Sequence, residues 1–271
     1  GKYIFTREER DAFLEAEPNA AQFVHPFVGS REFLHSEERF ILYLGDARQE
    51  VLASLSLVRQ RIDSVRHFRL ASKSAPTRGL ASTPTMFHVN VVPFAPFLVI
   101  PKVSSERREY VPIGWVSPPT VPSDLLFVLP GASLGLFSLL TSTMHMSWLR
   151  HMGGRLKSDF RYSIGLVYNT FPTPSGGVAG LAVLAPIGQA VLDARTEHSS
   201  ASLADLYDPD LMPTKLRKAH QALDAAVDRL YRREKFTSDR ERAEHLFGLY
   251  EAMAVQPELG EPPKKARRKR S

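Results

Sequence analysis

The sequence contains no cysteine. That removes disulfide frameworks and thiolate zinc sites, and it fits an intracellular protein without requiring one. The longest apolar run read here, Leu125 to Leu140, is broken by Pro130 and Gly131 and is too short to span a bilayer. No basic, apolar leader opens the chain, so no secretory signal, no membrane partner and a cytoplasmic location are expected. Catalytic signatures are missing too. There is no Gly-rich phosphate loop ending in Lys and Ser/Thr, no dinucleotide fingerprint, no H-E-x-x-H and no G-x-S-x-G. His145 and His151 stand six apart, a poor spacing for two ligands on one helical face. Asp205, Asp208 and Asp210 read as a turn and helix cap. Ser117–Pro118–Pro119–Thr120 is similar to an amino-methyltransferase motif, but lacks the Asn or Asp that would hold the target amino group. No catalytic residue, metal ligand or cofactor site is expected within these residues.

What remains is a globular composition: 271 residues, 43% hydrophobic and 24% charged, enough for about two domains. The net charge of +6 equals the charge of the tail residues Lys264, Lys265, Arg267, Arg268, Lys269 and Arg270, so the rest is neutral in sum. That sum hides an asymmetry. From Arg59 to Arg161 there are 13 Lys and Arg against 5 Asp and Glu, while the flanking parts are acidic in excess. A basic middle in an acidic frame suggests one face built for a polyanion.

Thr6 and Glu9 stand in capping-box spacing before a first helix that Pro18 ends. Arg39 to Leu44 reads as a strand. Val51, Leu55, Val58, Ile62 and Val65 predict one long helix from Gln49 to Ala71, with Arg59, Arg66 and Lys73 on one flank. Strands are expected over His88–Val92, Phe97–Val103, Tyr110–Val116, Asp124–Leu129 and Arg161–Tyr168, and a helix over Ala132–Met152. Met144, Met146 and Met152 read as core filler. Beyond Pro174 everything reads helical: Val178–Arg195, bent near Pro186, then Thr214–Arg233, then a third helix capped by Ser238 and Glu241. From Gln256 the pattern predicts a disordered basic tail.

Three basic clusters fall in the positive segment. The first is Lys102, Ser104, Ser105, Arg107 and Arg108, directly after a strand. The second is Arg155, Lys157 and Arg161. The third is Arg66, Arg69, Lys73 and Arg78 along and beyond the long helix. Hydroxyls and guanidiniums of this kind bind phosphate oxygens, and Arg also reads guanine edges.

The same stretches carry a family resemblance. Phe68–Arg69–Leu70–Ala71–Ser72–Lys73, Thr77–Arg78–Gly79–Leu80–Ala81, Val103–Ser104–Ser105–Glu106–Arg107–Arg108, Ser142 to Trp148 and Gly154 to Asp159 resemble the target recognition domain of MmeI-like enzymes. These are type IIL restriction–modification proteins and their adenine-specific DNA methyltransferase relatives. Tyr162–Ser163 and Val167 to Pro172 resemble the segment that follows that domain. Leu203 to Asp208, Met212–Pro213 and Lys218 to Asp224 resemble the family's helical C-terminal region. The resemblance runs from about Pro26 to Tyr250. It implies that S-adenosylmethionine and the Asn-Pro-Pro-aromatic motif belong to an upstream methyltransferase domain, and that this chain is a C-terminal fragment or the remnant of a split gene.

The resulting expectation is an α+β protein: an N-terminal helix and linker over residues 1–22, a mixed α/β target recognition domain over 23–174, a small all-α domain over 175–255 and a tail over 256–271. Its expected partners are double-stranded DNA and the upstream methyltransferase domain, with phosphate contacts from the three clusters. Base reading is expected in the loops Met86–Phe97 and Ser117–Gly131. Two alternatives stay open. An RNA-binding module could use Phe97, Tyr110 and Trp115 as stacking rings. A protein-interaction scaffold would leave the basic surface incidental.

Overall fold

The chain, in a computed structural model, is described for residues 2–45, 47–87 and 92–255, Ala254 and Val255 without their side chains. The tail from Gln256 and most of the expected strand at His88–Val92 lie outside these residues.

Strand β1 (Ile4–Phe5) leads into α1 (Arg7–Ala16). The capping box forms as expected: Glu9 N–H donates to Thr6 Oγ1 at 3.2 Å, and Thr6 N–H to Glu9 Oε2 at 2.9 Å. Then come β2 (Val24–Val28), α2 (Ser30–His35) and β3 (Phe40–Leu42). The long helix expected from Gln49 is in fact two, α3 (Gln49–Ser54) and α4 (Ser56–Leu70). Leu55 between them is extended, and its buried side chain keeps the apolar period running across the break. The buried carboxylate of Glu17 takes the free N–H groups of the new helix, Leu57 at 3.0 Å and Val58 at 2.9 Å. Helix α4 stops at Leu70, so Lys73 leaves the flank shared by Arg59 and Arg66, and Arg78 sits on the short α5 (Ala75–Gly79). Tyr3, Phe5, Phe13, Ile41, Leu42, Leu55, Val58 and Ile62 fill an N-terminal core.

Next come β4 (Phe97–Pro101), β5 (Val103–Ser104), β6 (Gly114–Val116), β7 (Val121–Pro122) and β8 (Leu126–Pro130). Strand β4 is central and buried throughout, with alternate residues serving different cores. Leu98 and Ile100 enter the large one, Phe97 and Val99 a small one with Leu126. Only Gly114–Val116 of the expected strand Tyr110–Val116 is in a ladder, with β4. The expected helix Ala132–Met152 divides at Thr141 into α6 (Leu134–Leu140) and α7 (Thr143–Met152), each capped by the serine before it. A hairpin of β9 (Gly154–Leu156) and β10 (Asp159–Arg161) follows. The strand expected over Arg161–Tyr168 is instead a π-helical turn, Ile164–Tyr168, whose cap Ser163 accepts from Leu166 N–H at 3.3 Å. Ser163 favours this cap, and the β-branched and aromatic residues that suggested a strand are equally at home in a half-buried turn.

The three sheets run β1-β3-β2-β7, β5-β10-β9 and β6-β4-β8, antiparallel except for β2 with β7. The rest is helical: α8 (Gly177–Gly180), α9 (Ala185–Thr196), α10 (Leu203–Leu206), α11 (Thr214–Tyr231) and α12 (Asp239–Val255). The architecture is α+β. Gly177–Thr196, with mean hydropathy 1.5, is long and apolar enough to cross a bilayer by composition, which Leu125–Leu140 is not. Its Leu181, Leu184, Val191 and Ala194 are buried in the large core, and Arg195 is held there by Ile113 O at 2.7 Å and Tyr207 Oη at 2.8 Å. That core joins β4, α6, α7 and β10 to α9, α11 and α12, with Trp148 tilted against Phe247 at 5.1 Å.

Candidate nucleic-acid interface

Phe160 pairs with Ser104 and Arg161 with Val103 across the β5–β10 ladder, while Phe160 pairs with Arg155 across β10–β9. This sheet brings the first two basic clusters together. Loop 105–109 leaves β5 as a turn, with Arg108 N–H donating to Ser105 O at 3.2 Å, and is fastened to the hairpin by Glu106 N–H on Asp159 Oδ1 at 3.3 Å.

The cations on this surface differ in their freedom. Arg161 and Lys157 are exposed, and among the described residues neither forms an ion pair. Lys157 occupies the hairpin tip with φ +56°, a left-handed conformation costly for a side chain with a Cβ. Arg155 lies over the Phe160 ring at 4.0 Å and donates to Ser158 O at 3.1 Å. Arg107, more than half exposed, pairs with Asp210 and stands 3.9 Å from Asp208. Burial pulls the Arg108 guanidinium below its ordinary value, with Asp159 and Asp208 opposing that. Ser104 is buried and its hydroxyl has no partner, so it fills the sheet and is not offered outward; Ser105 is half-buried. Lys102 holds its ammonium 4.9 Å from the Phe127 ring and points toward a different space.

That space is a cleft of about 1260 Å³ between the N-terminal sheet, α4 and the β4–β8 face. Phe27, Tyr43, Phe68, Phe87 and Phe127 line it with Arg69 and Lys102. Of the third and first clusters, Arg69 and Lys102 line this mostly apolar cleft, and the members of the third cluster are not alike. Arg69 donates to Leu80 O and Thr83 O at 2.8 Å and to Met86 O at 2.7 Å, so its guanidinium staples the chain after α5. Arg78 likewise donates to Ser72 O and Lys73 O at 2.9 Å. Arg66 pairs with Asp63 at 3.0 Å, and Lys73 is exposed.

Of the two loops expected to read bases, Met86–Phe97 is described only in part; its Phe94 is fully exposed. The other, Ser117–Gly131, contains β7 and β8, which leaves Ser117–Thr120, the turn Ser123–Leu125 and Gly131 as loop. Of the three rings proposed for RNA stacking, Phe97 is wholly buried and Tyr110 is buried against His220 at 3.9 Å, while Trp115 is half-buried. Sequence reasoning gives Asp159 and Arg217 no role and reads Asp210 only as part of a turn, because the partners they hold are remote in the chain. No group of three or more His, Asp or Glu suited to a metal occurs among the described residues. The large cleft sets Lys2, Arg69 and Lys102 against the single acid Asp124. A sulfonium cation and a ribose diol call for acidic partners.

Residues 1–175 match the model for the MmeI target recognition domain, and residues 183–256 that for the MmeI C-terminal domain. DNA methyltransferase A of Bacillus subtilis (strain 168) is 38% identical over 253 residues, spanning 93% of this chain and 29% of that protein. The solved structure of the type IIL restriction-modification enzyme MmeI in complex with DNA superposes with a TM-score of 0.90 at 40% identity, over 94% of this chain and 34% of that one. The chain thus spans about a third of the length of each of these relatives, and it belongs to the MmeI family, corresponding to its target recognition and C-terminal domains.

Proposed function

We propose that this chain is the duplex-DNA-reading part of a bacterial, cytoplasmic restriction–modification methyltransferase. The observation that carries the reading is the β5-β10-β9 sheet, which gathers two basic segments remote in sequence into one small sheet. On this reading Arg107, Arg108, Arg155, Lys157 and Arg161 meet the duplex, chiefly at phosphates, which fixes register while base edges supply choice. Lys102, Ser105, Arg66 and Lys73 extend the contact along the cleft side. Arg69 and Arg78 act from behind by holding the backbone, and Ser104 fills the sheet. The likeness to an enzyme solved with DNA supports duplex as the polyanion. Methyl transfer and its S-adenosylmethionine are assigned to parts of the protein other than these residues, in keeping with the greater length of both relatives and the basic, apolar cleft. A held duplex would let such a domain extrude an adenine from the stack.

The test is competition. The chain should bind a duplex of mixed sequence at low salt and release it as salt rises. A preference for single-stranded RNA would replace the reading with RNA binding. Failure to bind either polymer would leave a protein-interaction scaffold.

A further inference from the structure

Loop 105–109 is short, exposed and charged, yet it is tied down along its length, and the ties come mostly from the helical part of the chain. Immediately after the loop, Tyr110 stacks on His220 at 3.9 Å and donates its hydroxyl to Asp224 Oδ2 at 2.8 Å. Within the loop, both carboxylate oxygens of Glu109 accept from Arg217 Nη1 at 2.8 Å, and Arg217 Nη2 donates to Pro209 O at 3.0 Å. Arg217, His220 and Asp224 follow one another at steps of three and four on α11, so a single helical face holds Glu109 and Tyr110. The turn before α11 meets the same loop at the Arg107 side chain. Asp210, its N–H on Asp208 Oδ1 at 2.9 Å, pairs with Arg107, and Asp208 stands beside the same guanidinium.

Glu109 is the informative residue. A carboxylate next to Arg107 and Arg108 has the wrong sign for a surface that receives phosphate. An ion pair this exposed contributes little to stability. What the Glu109–Arg217 pair does supply is a fixed direction for the loop, and binding to a rigid duplex depends steeply on placement.

We infer that the C-terminal helical segment is the positioning device of the recognition loop, with Arg217 as the positioning residue that acts through Glu109 on Arg107 and Arg108. The inference rests on the reading of this loop as a duplex contact. The C-terminal region then has a stated task in recognition: it sets where the reading loop stands.

Charge and position make opposite predictions for Glu109→Gln in the 271-residue chain. Removing a negative charge should tighten binding to a mixed-sequence duplex if charge alone matters. Misplacement of the loop should weaken it by at least about threefold and make its salt dependence shallower by about one phosphate. Arg217→Lys, which keeps the charge but only one donor nitrogen, should fall between Glu109→Gln and the unaltered chain. Both side chains are partly exposed, so thermal unfolding should be nearly unchanged in each variant. Weaker binding with a shallower salt dependence supports the inference. Equal or tighter binding by Glu109→Gln overturns it while leaving duplex reading intact. Absence of duplex binding by the unaltered chain removes the functional reading, and the inference with it.

Discussion

Phe160 lies opposite Ser104 in the antiparallel ladder between β5 and β10, and both are buried. Side chains alternate along a strand. Two buried partners in register therefore turn the residues that follow them, Arg161 and Ser105, toward the other face of a shared scaffold. Arg155, opposite Phe160 in the β10–β9 ladder, stays on the Phe160 side, with its guanidinium 4.0 Å from that ring, so it and Arg161 leave the sheet on different faces.

Arg107 is held by an exposed carboxylate that a phosphate would displace. Arg107→Ala should weaken duplex binding and reduce the salt slope by about one unit. Asp210→Asn should do the reverse to affinity, tightening it a few-fold by releasing the guanidinium. Titration of a labelled duplex at several salt concentrations reads both. An unchanged slope in a folded Arg107→Ala chain would remove Arg107 from the phosphate-binding set.

Lys157 keeps a left-handed backbone, φ +56°, at an exposed hairpin tip where glycine would be unstrained. Lys157→Gly should raise stability by up to about 1 kcal/mol while lowering duplex affinity. Chemical denaturation and binding measured on the same variant test this trade. Lower stability together with unchanged binding would deny the lysine its role.

Arg69 gives its guanidinium to three backbone carbonyls, those of Leu80, Thr83 and Met86. Arg69→Ala should cost about 1–3 kcal/mol of stability and leave the salt slope as it was. Arg66→Ala should do the opposite, with a smaller slope and little change in stability, since its pair with Asp63 is exposed. Denaturation and salt titration of the two variants side by side check the contrast, and a reduced slope in Arg69→Ala would contradict it.

His145 is wholly buried beside Tyr162 and Phe171, and burial holds its imidazole down at about 3, against an ordinary value of 6.5. The unfolded chain takes up this proton below 6.5 and the folded chain does not. Its contribution is therefore complete above 6.5 and drains away as pH falls toward 3, by about 1.4 kcal/mol per pH unit. His220 shifts in the same direction through burial, with Arg195 adding to it. Asp224 opposes them. Burial raises it to about 6 from 3.8, so its contribution is complete below 3.8 and lost as pH rises through 6. Two histidines outweigh one aspartate, so the melting temperature should fall from about pH 7 to about pH 4. His145→Gln should make the fall shallower. A melting temperature that holds steady or rises over that range would contradict the assignment.

Much of this was legible in the order of residues, and the reasons it failed elsewhere are physical. Thr6 and Glu9 announced α1, and Val58, Ile62 and Val65 announced the buried face of α4, because caps and helical period are local. The break at Leu55 was hidden because the side chain stays buried on both readings and the capping carboxylate, Glu17, comes from a distant turn. The basic clusters were visible as composition. Their partners were not: the pairing of Arg107 with Asp210 joins residues 103 positions apart, and Arg217 with Glu109 spans 108. Nor could sequence separate Arg69, engaged with backbone, from Lys157, exposed at a hairpin tip.

The central claim is that the β5-β10-β9 surface is where a duplex lies. The most direct measurement is the salt dependence of duplex binding by the chain carrying Arg107→Ala, Arg155→Ala, Lys157→Ala and Arg161→Ala together, with thermal unfolding recorded to establish that it folds. The account predicts a slope shallower than that of the unaltered chain by roughly three units or more, at about 0.9 for each phosphate no longer neutralised. A folded variant that kept the full slope would contradict it.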